Sequence, residues 1–228
     1  MKKGIKLMLA IATVAMLMFG TVACGDEDTS DSNSAVEIES YVELSTDENG
    51  ESVIRIYNRG TMGDNTIILV ENTDAIQVKG ISEGAFTGNS EVITVILPDT
   101  IYHIDRLAFR GCSSLEEINF PTSLSFIGEA SFMGTALKEV VLPDSVTIIE
   151  AMAFANNISL ERLTVNEGVT RLENIVEGST HLKELYLPST ITEISEDFTV
   201  SGNTIIYTPD NSVVTDYCTA NGINYEII

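Results

Sequence analysis

Between Val92 and Thr190 the apolar and polar residues fall into a phrase that recurs four times: VITVILPDT ending at Thr100, LEEINFPTS at Ser123, LKEVVLPDS at Ser145 and LKELYLPST at Thr190. In each phrase the first, fourth and sixth residues are apolar and the seventh is proline. A second apolar pair follows the proline, as in Leu124 and Ile127, and then a phenylalanine step flanked by small residues: GAFTG, LAFRG and ASFMG. Phe86, Phe109, Phe132 and Phe154 are spaced by 23, 23 and 22 residues. A fixed period of this length is the mark of a stacked array. The pattern predicts two short strands per unit, with Leu115, Ile118, Phe120, Leu124, Ile127 and Phe132 turned inward in the clearest copy. One unit cannot close its own apolar ring. Only a neighbour laid on it, with strands about 4.8 Å apart, removes that ring from water, so the units must fold together as a mainly β repeat solenoid of about six copies. Proline sits just past the strand, where its missing N–H costs no ladder bond.

Two copies are worn. The fourth has VNEG where proline is expected, and the fifth has Ile175 and Val176 in place of the phenylalanine step. At the front, VEIESYVEL and SVIRIY alternate around the turn-rich TDENGE and predict a hairpin. At the back, Ser212 and Gly222 bracket SVVTDYCTANG as a short helix, and INYEII follows as a closing strand. The expected division is an N-terminal β cap over 36–75, repeats over 76–212 and a C-terminal cap over 213–228.

Residues 1–23 carry three lysines, Lys2, Lys3 and Lys6, ahead of an apolar run from Leu7 to Ala23, which is the form of an export signal. The acidic, serine-rich 24–35 has nothing to bury and is expected to be a disordered tether. The formal net charge is −22, and loss of the first 23 residues would remove three lysines and no acid. So acidic a chain is repelled by phosphate polymers and anionic bilayers, which disfavours nucleic acid as a partner. Cys24, Cys112 and Cys218 form neither a disulfide framework nor a metal quartet. Cys112 directly follows a repeat glycine and is expected to pack. The two histidines, His103 and His181, occupy non-equivalent repeat positions and give no metal pair or catalytic triad, and His103 is expected in a surface loop. Nothing implies a cofactor.

The unit L-x-x-I-x-F-P-x-S-L-x-x-I-x-x-x-x-F, intact from Leu115 to Phe132, resembles the BspA-like leucine-rich repeat of bacterial surface proteins. The entry SVIRIYNRGTMGDNTIILV and the exit NSVVTDYCTANGINY resemble that family's usual ends. The segment TVAC before Gly25 resembles a lipoprotein lipobox, which implies lipidation at Cys24 and a membrane contact through that lipid alone. The resemblance implies a right-handed solenoid in the bacterial cell envelope, surface exposed and monomeric. It further implies a non-catalytic adhesion module that binds host matrix, neighbouring cells or glycans; the alternative is an envelope scaffold without an external ligand.

On the outer strand face, equivalent residues should stack into columns. Glu116, Lys138, Glu161 and Lys183 alternate in sign and read as self-neutralising. Beside them Glu117 and Glu139 are like charges in one column. A third column, Ile96, Asn119, Val141, Thr164, Tyr186 and Tyr207, mixes apolar, hydroxyl and phenolic groups and is the expected binding strip.

Overall fold

The computed structural model describes residues 42–46, 52–56, 66–68, 78–210 and 212–228. The leader 1–23, Cys24 and the acidic stretch 24–35 lie outside the described residues, as does 36–41 of the expected first strand. What is described of the hairpin is β1 (Val42–Thr46) antiparallel to β2 (Ser52–Ile56), with Val42 opposite Ile56. From there the chain alternates between two walls: β3 (Thr66–Ile68), then β4 (Gly80–Ile81), β5 (Thr94–Ile96), β6 (His103–Ile104), β7 (Glu117–Ile118), β8 (Phe126–Ile127), β9 (Glu139–Val141), β10 (Ile148–Ile149), β11 (Arg162–Thr164), β12 (Arg171–Leu172), β13 (Glu184–Tyr186) and β14 (Glu193–Ile194). Odd-numbered strands from β3 onward build the first wall, and even-numbered strands from β2 to β14 build the second. After β15 (Ile205–Thr208) on the first wall come helix α1 (Ser212–Asn221) and β16 (Asn224–Ile227), which pairs parallel with β15. Every described pairing except β1 with β2 is parallel, and those between repeats join one position to its equivalent in the next copy.

The phenylalanine steps form a third ladder. The amide of Phe86 donates to the Ala108 carbonyl at 2.7 Å, Phe109 to Ser131 at 2.7 Å, Phe132 to Ala153 at 2.8 Å and Phe154 to Ile175 at 2.8 Å. The four rings stack in file, with centroids 4.8, 5.3 and 5.3 Å apart and planes within 9° of parallel. Together with the leucines, isoleucines and valines of both walls they make one continuous core from Val78 to Cys218. Offset aromatic contacts of this kind add to the burial of each ring.

The worn copies keep the path by other means. In the fourth, Asn166 Nδ2 donates to the Leu142 carbonyl at 2.6 Å where the other copies place proline. Gly168, at φ 128°, lets the Asp144 and Val146 carbonyls come within 2.8 Å of where a Cβ would stand. In the fifth, Ile175 and Val176 are both buried and replace the missing ring.

Each wall is interrupted once. The second-wall ladder stops between β10 and β12, beside the worn copies, and the first-wall ladder stops between β7 and β9. Phe120 accounts for the second of these. It occupies the position of Leu97 and Leu142, but its larger ring reaches forward, edge-on to Phe132 at 5.5 Å and to Phe154 at 6.5 Å. No backbone hydrogen bond joins 117–120 to 139–142, and Ile118 is half-buried where its equivalents Val95 and Val140 are fully buried.

At the end, α1 packs Val214 and Cys218, four residues apart, into the core. The Tyr217 hydroxyl donates to the Phe198 carbonyl at 2.8 Å, and Gly222 at φ 66° ends the helix.

Candidate binding face

The strands of the first wall turn Val95, Val140, Leu163, Leu185 and Ile206 inward. What they turn outward is two narrow columns. Register places Val141, Thr164, Tyr186 and Tyr207 side by side on β9, β11, β13 and β15, with Glu226 of β16 next in line. Ile96 lies in the same column on β5, beside Ile68 of β3. Ile96 is 45% exposed and Val141 54%.

Asn119 plays a different part from its column neighbours. Its side-chain oxygen accepts from the Leu97 amide at 2.6 Å and its Nδ2 donates to the Leu97 carbonyl at 2.8 Å. The amide therefore clamps its strand to the preceding one and has little left for a ligand. Tyr186 and Tyr207 are half-buried, and their rings stack on each other with centroids 4.8 Å apart and planes 15° from parallel. The Tyr186 hydroxyl donates to Glu184 Oε2 at 3.2 Å. Loss of water pushes both phenols above their ordinary pKa, and for Tyr186 the Glu184 carboxylate adds to that. Both hydroxyls stay protonated at neutral pH.

Beside this strip runs Glu139, Arg162, Glu184 and Ile205, also in register. Arg162 donates from Nε to Glu184 Oε2 at 2.6 Å and from its terminal nitrogen to Glu139 Oε1 at 3.1 Å. The Arg162 guanidinium holds the Glu184 carboxyl below the usual carboxylate range. Glu139, Arg162, Glu184 and the Tyr186 hydroxyl thus form one connected polar chain across three strands. Sequence pattern alone does not single out Arg162, although its spacings of 23 and 22 residues from the two glutamates carry the signal. At the edge of the face, Lys138 meets Glu116 at 3.4 Å and Lys183 meets Glu161 at 2.7 Å. The self-neutralising column expected from alternating signs is present as two ion pairs. Away from this face Arg106 bridges Glu83 and Glu129, and Arg171 bridges Glu173 and Glu193.

The second wall offers less. His103 is not the surface loop residue expected; it stands in β6 and is only 7% exposed. The reason is its register. It aligns with Phe126 of β8 and with Gly80 of β4, and its ring lies so close over Gly80 that a Cβ there would sit 2.0 Å from Nε2. Tyr102 meets it edge-on at 4.6 Å. His181 is exposed elsewhere. Cys112 and Cys218 are buried free thiols, pushed up by burial to about 12 and about 11, so neither is a nucleophile at neutral pH. Cys112 Sγ lies 3.2 Å from the Phe86 carbonyl of the preceding copy, which is the packing role expected of it.

Residues 79–202 match the family model described as the BspA type leucine-rich repeat region, in six copies. No curated relative matches the chain. Among solved structures, a leucine-rich cell surface protein of Faecalibacterium prausnitzii is 24% identical with a TM-score of 0.56, covering 69% of this chain and 38% of its own. The pneumococcal vaccine antigen PcpA is 22% identical with a TM-score of 0.61, covering 79% of this chain and 46% of its own. A leucine-rich repeat protein of T. pallidum is 21% identical with a TM-score of 0.54, covering 81% of this chain and 95% of its own. The chain spans less than half the length of the first two. At these identities the likeness is one of fold.

Proposed function

Starting from the fact that the chain belongs to the BspA-type leucine-rich repeat family, we propose that it is a cell-surface binding module that presents the outer face of its first wall to another macromolecule and carries out no catalysis. Its tether is a lipid on Cys24. The observation that carries this reading is the outward display of Ile96 and Val141 on the same wall as the stacked Tyr186 and Tyr207. Large apolar side chains held in line on a rigid sheet lose little entropy on contact, and tyrosine adds ring area and a hydroxyl at the same small cost. Similarity to a leucine-rich cell surface protein supports the location. A surface adhesin of this kind meets its partner on a host matrix or a neighbouring cell.

The test is binding of the fluorescently labelled full chain to immobilised matrix proteins, a panel of glycans and whole cells. Saturable binding to at least one surface is expected. Absence of saturable binding to all three would make the chain an envelope scaffold. Metabolic labelling with a fatty acid, compared between the natural chain and Cys24→Ser, tests the tether separately. Label is expected in the first alone.

A further inference from the structure

The ion pairs of the first wall leave the inner column with three glutamates, Glu117, Glu139 and Glu184, against one arginine, Arg162. Lys138 and Lys183 each meet one glutamate. In the inner column Arg162 faces two, Glu139 and Glu184, and Glu117, exposed in that column through its register with Thr94, meets no cation among the described residues. Between Glu117 and Glu139 lies the interruption of the ladder. There Ile118 packs against the core but is only half-buried, and the strands β7 and β9 exchange no backbone hydrogen bonds. In the neighbouring column, Ile96 stands on β5, one strand back from the near edge of the opening, and Val141 on β9, at its far edge, both exposed. Acid and apolar groups therefore meet at one place on the face.

We infer that the partner of this face is a protein segment carrying lysine or arginine beside apolar side chains, seated over the opening between β7 and β9, with its cations against Glu117 and Glu139 and its apolar groups against Ile96 and Val141. This rests on the binding role proposed above and specifies the partner. Charge complementarity selects it. A chain of net charge −22 steers cations toward itself at long range, and the unpaired Glu117, with Glu139 whose one cation is shared with Glu184, gives that attraction a place to end. A neutral glycan is served less well. Sugars stack on open aromatic faces, whereas Tyr186 and Tyr207 cover one another's facing surfaces, and the Tyr186 hydroxyl is already bound to Glu184.

The probe is a fluorescein-labelled heptapeptide of alternating lysine and leucine, with a glutamate-for-lysine counterpart, titrated against the full chain at about 150 mM salt so that distant charges are screened. One double variant is Glu117→Gln with Glu139→Gln. The control is Glu177→Gln with Glu196→Gln, which removes as much charge from exposed positions elsewhere. The lysine peptide is expected to bind saturably and the glutamate peptide not at all. The first variant should weaken the lysine peptide about tenfold, as two lost charge contacts allow, and the control less than about twofold. Equal losses in both variants, or binding of neutral dextran oligosaccharides without binding of the lysine peptide, would overturn the inference. A third variant, with threonine at Ile96, Val141, Tyr186 and Tyr207, separates this inference from the wider reading. Loss of cell binding there, with cell binding intact in the Glu117 and Glu139 variant, rejects the basic partner alone; cell binding intact in the threonine variant rejects the face itself.

Discussion

Met152 holds its backbone at φ 59°, in the left-handed region, where its equivalent Gly84 stands at 65°. Leu107 and Ala130 occupy the same position in the copies between them, at 60° and 52°. A side chain there crowds the following carbonyl, at a cost of about 1–2 kcal/mol. Met152 is 39% exposed, so removing its side chain forfeits little packing. Met152→Gly is accordingly expected to stabilise the protein by about 0.5–1 kcal/mol after the entropy of glycine is counted, read as a rise in the urea midpoint. At this scale the sequence is uneven as a guide. The phenylalanine file is legible because buried rings recur at a fixed period. The strained turns are not, because leucine, alanine and methionine look ordinary there, and only Gly84 points to the geometry. His103 is hidden for a related reason: its burial depends on a glycine one copy earlier, which a pattern of apolar residues does not mark.

The strands and their register were legible from the proline-closed phrase, since its apolar positions face inward wherever the ladder is intact. The interruptions were not. Phe120 satisfies the apolar pattern as well as leucine does, and only its size, felt by Phe132 of its own copy and Phe154 of the next, opens the ladder. In a parallel ladder alternate residues turn their amides to opposite neighbours. Leu142 donates toward β11, to the Thr164 carbonyl, so the amides of Glu139 and Val141 point to the open side. Hydrogen exchange followed by NMR should find those two amides exchanging much faster than the amides of Arg162 and Thr164, which lie inside an intact ladder. Comparable protection at all four positions would mean that the wall is closed. The worn fourth copy carries a different signature. Glu167 accepts from the Ser189 amide at 3.1 Å and from the Ser189 hydroxyl, and the backbone contact is the chief reason its carboxyl lies below the usual range. A carboxyl lowered by folding contributes stability above its unfolded pKa of about 4.3 and loses it as pH falls through the lower folded value. Glu167→Gln should therefore be less stable than the natural chain at pH 6, and the difference should close below about pH 4 in unfolding curves taken across that range.

At the scale of the whole molecule the two walls and the phenylalanine file share one core, and the chemistry left for function is on the outside. The candidate strip was legible only in part. Its column follows from period alone, and Ile96, Val141, Thr164, Tyr186 and Tyr207 fall in it. The clamp made by Asn119 and the bridge made by Arg162 depend on side-chain geometry that spacing does not fix. The two walls are also unlike in what they show. The first presents Ile96 and Val141 beside a tyrosine pair, the second a shorter patch of Phe126 and Ile148 next to the charged Arg171 and Glu193. That difference allows a direct comparison between the faces of one molecule. Threonine at Ile96, Val141, Tyr186 and Tyr207 keeps a β-branched residue on the strand while removing the apolar and phenolic groups; threonine at Phe126 and Ile148 does the same on the other side. With both variants folded by circular dichroism, binding of each full chain to the same cells should fall at least about tenfold for the first wall and stay within about twofold for the second. Binding that survives on the first wall and fails on the second would contradict the account.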